Sequence, residues 1–198
     1  MLDFFKTHPN AAGAGGKVIP KYEGGNEPIW MSKYLNGFIG KIDFGSSIKL
    51  FSKQMKYPVG CNMAYKKEIL QKAGGFNNAL QFRSDDKYIF NQVKKYSDHV
   101  YFVPGAWLYH NIDAHRLQIK NFKNLFLKTG NEEKKRVFLE EGNAGIIKKA
   151  IEFICKAGAS AILLFLFTIK GQFAKGKYVF ISQYCTLKGF FKKEIFVR

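Results

Sequence analysis

Apolar and polar positions change rhythm along this chain, and the changes predict its elements. Leu2, Phe4 and Phe5 crowd together before Pro9-Asn10, which predicts the last turns of a helix over 1–8. Ala11 to Tyr22 is small and Gly-rich and ends in Lys17-Val18-Ile19-Pro20, a strand running into a loop; Gly24-Gly25-Asn26-Glu27-Pro28 is a turn. Ile29, Trp30, Tyr34, Leu35 and Phe38 fall at helical spacing, so a helix is expected within 29–40. Residues 48–51 are too short a run to assign. A strand is expected over 57–65 and a short helix over 66–73, stopped by Gly74-Gly75. Ser84 is placed to cap a helix reaching about Tyr96, with Asp85 and Asp86 in its first turn. His99 to Val103 predicts a strand stopped by Pro104, and Ala106 to Ile112 a further extended piece.

Beyond Ile112 the period lengthens. Ile119, Phe122, Leu125 and Phe126 form one helical face, with Arg116, Lys120 and Lys123 largely opposite. A polar stretch over 130–136 interrupts, then Ile147, Ala150, Ile151 and Ile154 form a second stripe. Ala157 to Ile169 is uncharged, shorter than the roughly 20 apolar residues of a single span. It suits a buried helix, an interfacial helix, or a span whose flanking lysines snorkel. The tail after it mixes Lys with Phe173, Tyr178, Phe180, Phe190 and Phe191, as a membrane interface requires. The chain therefore divides at residues 1–114 and 115–198, the second part helical, basic and membrane-associated, with 146–170 either crossing the bilayer or lying on it.

Composition supports a folded chain: 46% of residues are hydrophobic and 24% charged. The net charge of +17 is heavier in the second half and favours an anionic partner, whether membrane lipid, nucleic acid or a phosphorylated substrate. The basic residues are spread out and match no nucleic-acid motif, which counts against RNA or DNA. Cys61, Cys155 and Cys185 lie far apart and form no CxxC, so neither a zinc knuckle nor a redox pair is expected.

The candidate chemistry lies between Gly60 and His110. Asp85-Asp86 after Ser84 is first a helix start, because acids favour the positive end of the dipole. A carboxylate mounted there can also take a proton from an attacking hydroxyl. His110 is a strand histidine and, as imidazole, a candidate ligand for a divalent metal, with Asp113 and His115 nearby in sequence. Gly13-Ala14-Gly15-Gly16 lacks the ending of a P-loop and the spacing of a dinucleotide fingerprint.

Taken in order, Gly60-Cys61-Asn62-Met63-Ala64, Gly74-Gly75-Phe76, Ser84-Asp85-Asp86, Val103-Pro104 and His110 resemble the acceptor half of a family 2 glycosyltransferase of the GT-A fold. The resemblance implies an α/β fold: the C-terminal half of a nucleotide-diphospho-sugar transferase domain with a mixed sheet, followed by amphipathic and hydrophobic helices. It implies that Asp86 is the catalytic base and Asp85 its acidic neighbour. Gly60, Asn62, Gly75 and Phe76 would line the acceptor side, and His110 would sit at the metal or donor diphosphate. The complete enzyme would use a nucleotide-sugar donor, Mg²⁺ or Mn²⁺, and a glycan or lipid-linked acceptor in cell-envelope synthesis, at the cytoplasmic face of a membrane. The family's Asp-x-Asp occurs nowhere in this sequence. The resemblance therefore implies a fragment, inactive alone, whose nucleotide-binding half is lost or carried on a separate chain. The rival expectation is a non-catalytic basic protein that binds anionic membrane or RNA.

Overall fold

The computed structural model describes residues 1–52, 55–80, 82 and 84–192; the last six positions of the basic tail lie outside the described residues. The fold is mixed α/β. Its elements are α1 (Leu2–Thr7), β1 (Gly13–Tyr22), β2 (Lys49–Leu50), β3 (Met63–Tyr65), α2 (Lys67–Lys72), α3 (Asp85–Lys94), β4 (Val100–Ile112), α4 (Ala114–Leu117), α5 (Ile119–Ile169) and α6 (Phe173–Phe191). They form two units. One comprises Met1–Tyr22, Asn36–Asn78 and Asp85–Ile112; the other comprises Glu23–Leu35, Ala79–Ser84 and Asp113–Arg198.

The first unit is a four-stranded mixed sheet in the order β2-β4-β1-β3. β1 runs parallel to β4 and antiparallel to β3, and β2 is antiparallel to β4. Val18, Val100 and Phe102 meet Ile89, Phe90 and Val93 of α3 and the ring of Phe51 in one core. The glycines of β1 are there for clearance. A Cβ at Gly13 would lie 2.4 Å from the Tyr65 ring, and one at Gly15 would lie 2.6 Å from Pro58.

The two extended pieces expected around Pro104 are one strand with a bulge. Gly16 pairs with Val103 and Val18 with Leu108, so Lys17 alone faces Pro104, Gly105, Ala106 and Trp107. Proline has no N–H for the ladder, and a bulge is where a sheet tolerates it. A Cβ at Gly16 would sit 1.6 Å from the Ala106 carbonyl oxygen, so no other residue fits opposite the bulge.

Between 29 and 40 the structure departs from the sequence pattern. Only Lys33–Leu35 form a single 3₁₀ turn. The apolar residues there serve different cores: Trp30 stacks on Tyr178 at 4.1 Å in the second unit, whereas Phe38 and Ile39 are buried in the first. Gly40, at φ 66°, ends the run just after Ile39. Likewise, only Met63–Tyr65 of the strand expected over 57–65 is extended in the sheet, and Gly60–Asn62 make a 3₁₀ turn.

The second unit is built on α5 and α6. α5 is not straight. At Gly142 the backbone takes φ 63° and ψ −151°, a conformation essentially reserved for glycine, and the helix folds back on itself. Lys149 Nζ reaches Glu133 Oε2 at 3.8 Å, and a Cβ on Gly145 would lie 2.9 Å from Val137. In a straight helix residues 133 and 149 would be about 24 Å apart. The polar stretch over 130–136 is therefore helical and lines the seam between the two arms, 119–141 and 143–169. There Arg136 forks onto Glu133 through Nε and Nη2, both at 3.0 Å, and also donates to Glu140.

α6 lies against both arms with little space for side chains. A Cβ at Gly130 would be 2.0 Å from the Thr186 carbonyl oxygen. One at Gly189 would be 2.0 Å from that of Leu127, and one at Gly176 would be 2.9 Å from the Leu164 backbone. Trp30, Phe122 and Tyr178 close one end as an aromatic cluster. The outer face of the 143–169 arm carries exposed Ile147, Ile151, Ile154, Ile162, Phe165 and Ile169. α5 is long and apolar enough, by length and composition, to cross a membrane.

Candidate active site around Asp86

Asp86 sits one residue into α3, at the helix positions i−3, i−4 and i−7 from the buried Ile89, Phe90 and Val93. That spacing turns it to the sheet side of the helix. Packing of those three residues holds the mount. Two backbone N–H groups orient the carboxylate: Lys87 donates to Oδ1 at 2.8 Å and Gly60 to Oδ2 at 3.4 Å. The second contact brings the Gly60-Cys61-Asn62 turn and the Ser84-Asp85-Asp86 segment together across 26 residues of chain. Asp85 occupies the first helical position and is half-buried.

Tyr65 completes the neighbourhood, and the sequence reading did not single it out. Its phenol oxygen is buried without a hydrogen-bond partner among the described residues. Burial pushes the phenol's pKa well above its ordinary value, and the negative charge of Asp86 pushes it further. The only signal in the sequence was position: Tyr65 follows the Gly-x-Asn-x-Ala run directly.

Ser84 does not adopt the extended backbone of a capping residue. Its φ is 74°, and its hydroxyl donates to Glu133 at 2.9 Å. The expected cap is replaced by a side-chain bond within the second unit. The acids at 85 and 86 still stand in the first turn of α3, where the dipole favours them.

The other expected site residues are placed as follows. Asn62 directs its amide nitrogen to two backbone carbonyls, Ala106 at 2.8 Å and Lys17 at 3.0 Å. It ties the bulge of β4 to β1, because a break in a ladder leaves carbonyls that need donors. Gly75 and Phe76 follow the C-terminus of α2. Gly74 and Gly75 have φ of 81° and 70°, and the Gly75 N–H bonds back to Leu70 at 3.0 Å, so the pair terminates the helix. Phe76 is exposed, and neither residue has a contact with Asp86 among those described. Cys61, beside Gly60, is exposed.

His110 is half-buried and its Nδ1 lies 2.8 Å from the Ile39 carbonyl oxygen. That partner requires a proton on Nδ1 and leaves the lone pair on Nε2. One imidazole nitrogen is a single ligand. Among the described residues no group of three or more His, Cys, Asp or Glu gathers in a geometry for a metal ion. These residues do not by themselves fit a Mg²⁺ or Mn²⁺ site.

Comparisons of the chain with protein-family models, with curated proteins and with solved structures find no match.

Proposed function

We propose that this chain carries the acceptor side of an inverting, membrane-associated glycosyltransferase of family 2, with Asp86 as the general base. The observation that carries the reading is the meeting of Gly60 and Asp86. Two motifs far apart in sequence converge on a carboxylate held at a helix N-terminus by two backbone donors. In the reaction, Asp86 takes the proton from an acceptor hydroxyl as that oxygen attacks the anomeric carbon of the donor. The bond from that carbon to the diphosphate breaks, the nucleoside diphosphate leaves, and the configuration inverts. Gly60 and Asp86 would face the acceptor.

No Asp-x-Asp is present in the sequence. In this proposal the residues that hold the donor and its Mg²⁺ or Mn²⁺ belong to polypeptide other than these 198 residues, and the chain alone does not transfer sugar. The working assembly would act on a glycan or lipid-linked acceptor at the cytoplasmic face of a membrane. The exposed apolar face of the 143–169 arm supports the membrane assignment. It also favours the second reading, a basic protein that binds anionic membrane without catalysis.

The test is a metal-dependent transfer assay on the chain alone and on its complex with a co-purifying Asp-x-Asp polypeptide. The chain alone should release no nucleoside diphosphate. In the complex, Asp86→Asn should lower turnover by about 10²- to 10⁴-fold. Transfer by the isolated chain would overturn the division into halves, and near-normal turnover of Asp86→Asn would remove the base.

A further inference from the structure

β1 and β4 send Val18 and Leu108 into the core. Alternation along a strand therefore turns Lys17, Ile19, Trp107 and Tyr109 to the other face. A cleft of about 710 Å³ opens there, walled by Asp43, Gly45, Ser46, Pro104 and Gly105 as well. Three features of it are unusual together.

The first is aromatic exposure. Trp107 is 55% exposed and Tyr109 59%, and their rings meet edge to face at 5.4 Å. Single exposed apolar residues are common on protein surfaces, but an exposed Trp-Tyr pair in a concave site is not.

The second is that the pair is positioned by built structure. The bulge that projects Pro104 to Trp107 requires a glycine at position 16 and the two amide bonds of Asn62. Bulges commonly re-aim side chains beside functional sites.

The third is the polar wall. Asp43 accepts from Gly45 N–H at 3.0 Å and pairs with Lys17 at 2.7 Å. A carboxylate has about four acceptor positions, so two remain for a ligand's donors. Among the described residues that line the cleft, the one cation, Lys17, is already paired with Asp43.

We propose that this cleft binds a neutral sugar residue of a glycan. A pyranose has an apolar face of C–H groups that stacks on an aromatic ring and a rim of hydroxyls that donate to a carboxylate. Trp107 and Tyr109 supply the stacking surface, and Asp43 and Ser46 the hydrogen bonds. The site requires no transfer reaction, so it stands or falls apart from the role of Asp86.

Cellobiose, chitobiose, maltose and galactobiose, titrated separately into the purified chain and followed by tryptophan emission and calorimetry, test the proposal. At least one disaccharide should bind saturably with a dissociation constant in the millimolar range or tighter. Trp107→Ala should weaken that binding at least tenfold, Asp43→Asn should weaken it several-fold, and Trp107→Phe should retain most of it. Trp107 is exposed, so circular dichroism of the alanine variant should match the parent chain. The assignment is overturned if none of the four sugars binds, or if Trp107→Ala binds as well as the parent. Stronger binding of adenosine monophosphate than of every sugar would also overturn it.

Discussion

Tyr65 is the residue whose surroundings have the clearest consequence in solution. Its phenol is buried beside Asp86, and both influences raise its pKa above the ordinary value near 10. A raised folded-state pKa contributes stability that is complete below the unfolded value and is lost as pH climbs past it. Denaturant midpoints of the parent chain should therefore hold steady to about pH 10 and then fall, and Tyr65→Phe should show a shallower alkaline decline. Equal slopes for the two proteins would place the phenol in water. Asn62 and Ser84 mark what was and was not legible at this scale. Both stand out in the sequence by residue type and spacing, which suggest a ligand role for Asn62 and a local capping role for Ser84. Asn62 instead bonds to Lys17 and Ala106, 45 and 44 residues away, and Ser84 bonds to Glu133, 49 residues away. No local pattern encodes a partner at that distance.

At the scale of elements, the spacing of apolar residues and the stops between them located α1, β1, α2, α3 and the apolar part of α5. Spacing failed where one segment serves two cores, as between Trp30 and Ile39, and where charge is buried in a seam. Glu132, Glu133 and Arg136 stand in the sequence only as part of a polar interruption, because such residues rarely lie inside a protein, yet all three are buried. Glycine was the other ambiguous symbol. Gly130 and Gly189 allow backbones to touch, Gly142 reverses the chain, and Gly158 has nothing within 4 Å of its Cβ position. These roles predict opposite responses to one methyl group. Gly130→Ala should lower stability by about 1–3 kcal/mol through overpacking, while Gly158→Ala should raise it by up to about 1 kcal/mol. Thermal melts followed by the helical circular dichroism signal would check both signs.

At the scale of the whole molecule, the charge of +17 and the apolar outer face of the 143–169 arm act together. That arm is about 40 Å long, more than the roughly 30 Å of a bilayer's hydrocarbon core, so it can cross a bilayer or lie along one. The chain should co-sediment with vesicles containing phosphatidylglycerol more strongly than with pure phosphatidylcholine. Ile154→Asp with Phe165→Asp should reduce the bound fraction several-fold. Equal binding by this double variant would assign the attraction to charge alone.

The parallel pairing of β1 with β4 also governs the order in which the molecule assembles. Gly13 must find Val100, and every segment between them has to be held in a closed loop first. The 119–141 and 143–169 arms need only a turn at Gly142, and α6 follows them directly. Contacts between near neighbours in sequence form in microseconds to milliseconds, and distant strand pairings form far more slowly. The helical hairpin is thus the early product of folding and the sheet the late one. The bulge, clasped by Asn62 and cleared by Gly16, can close only after β1 and β4 have met, so the aromatic cleft is among the last features the chain acquires.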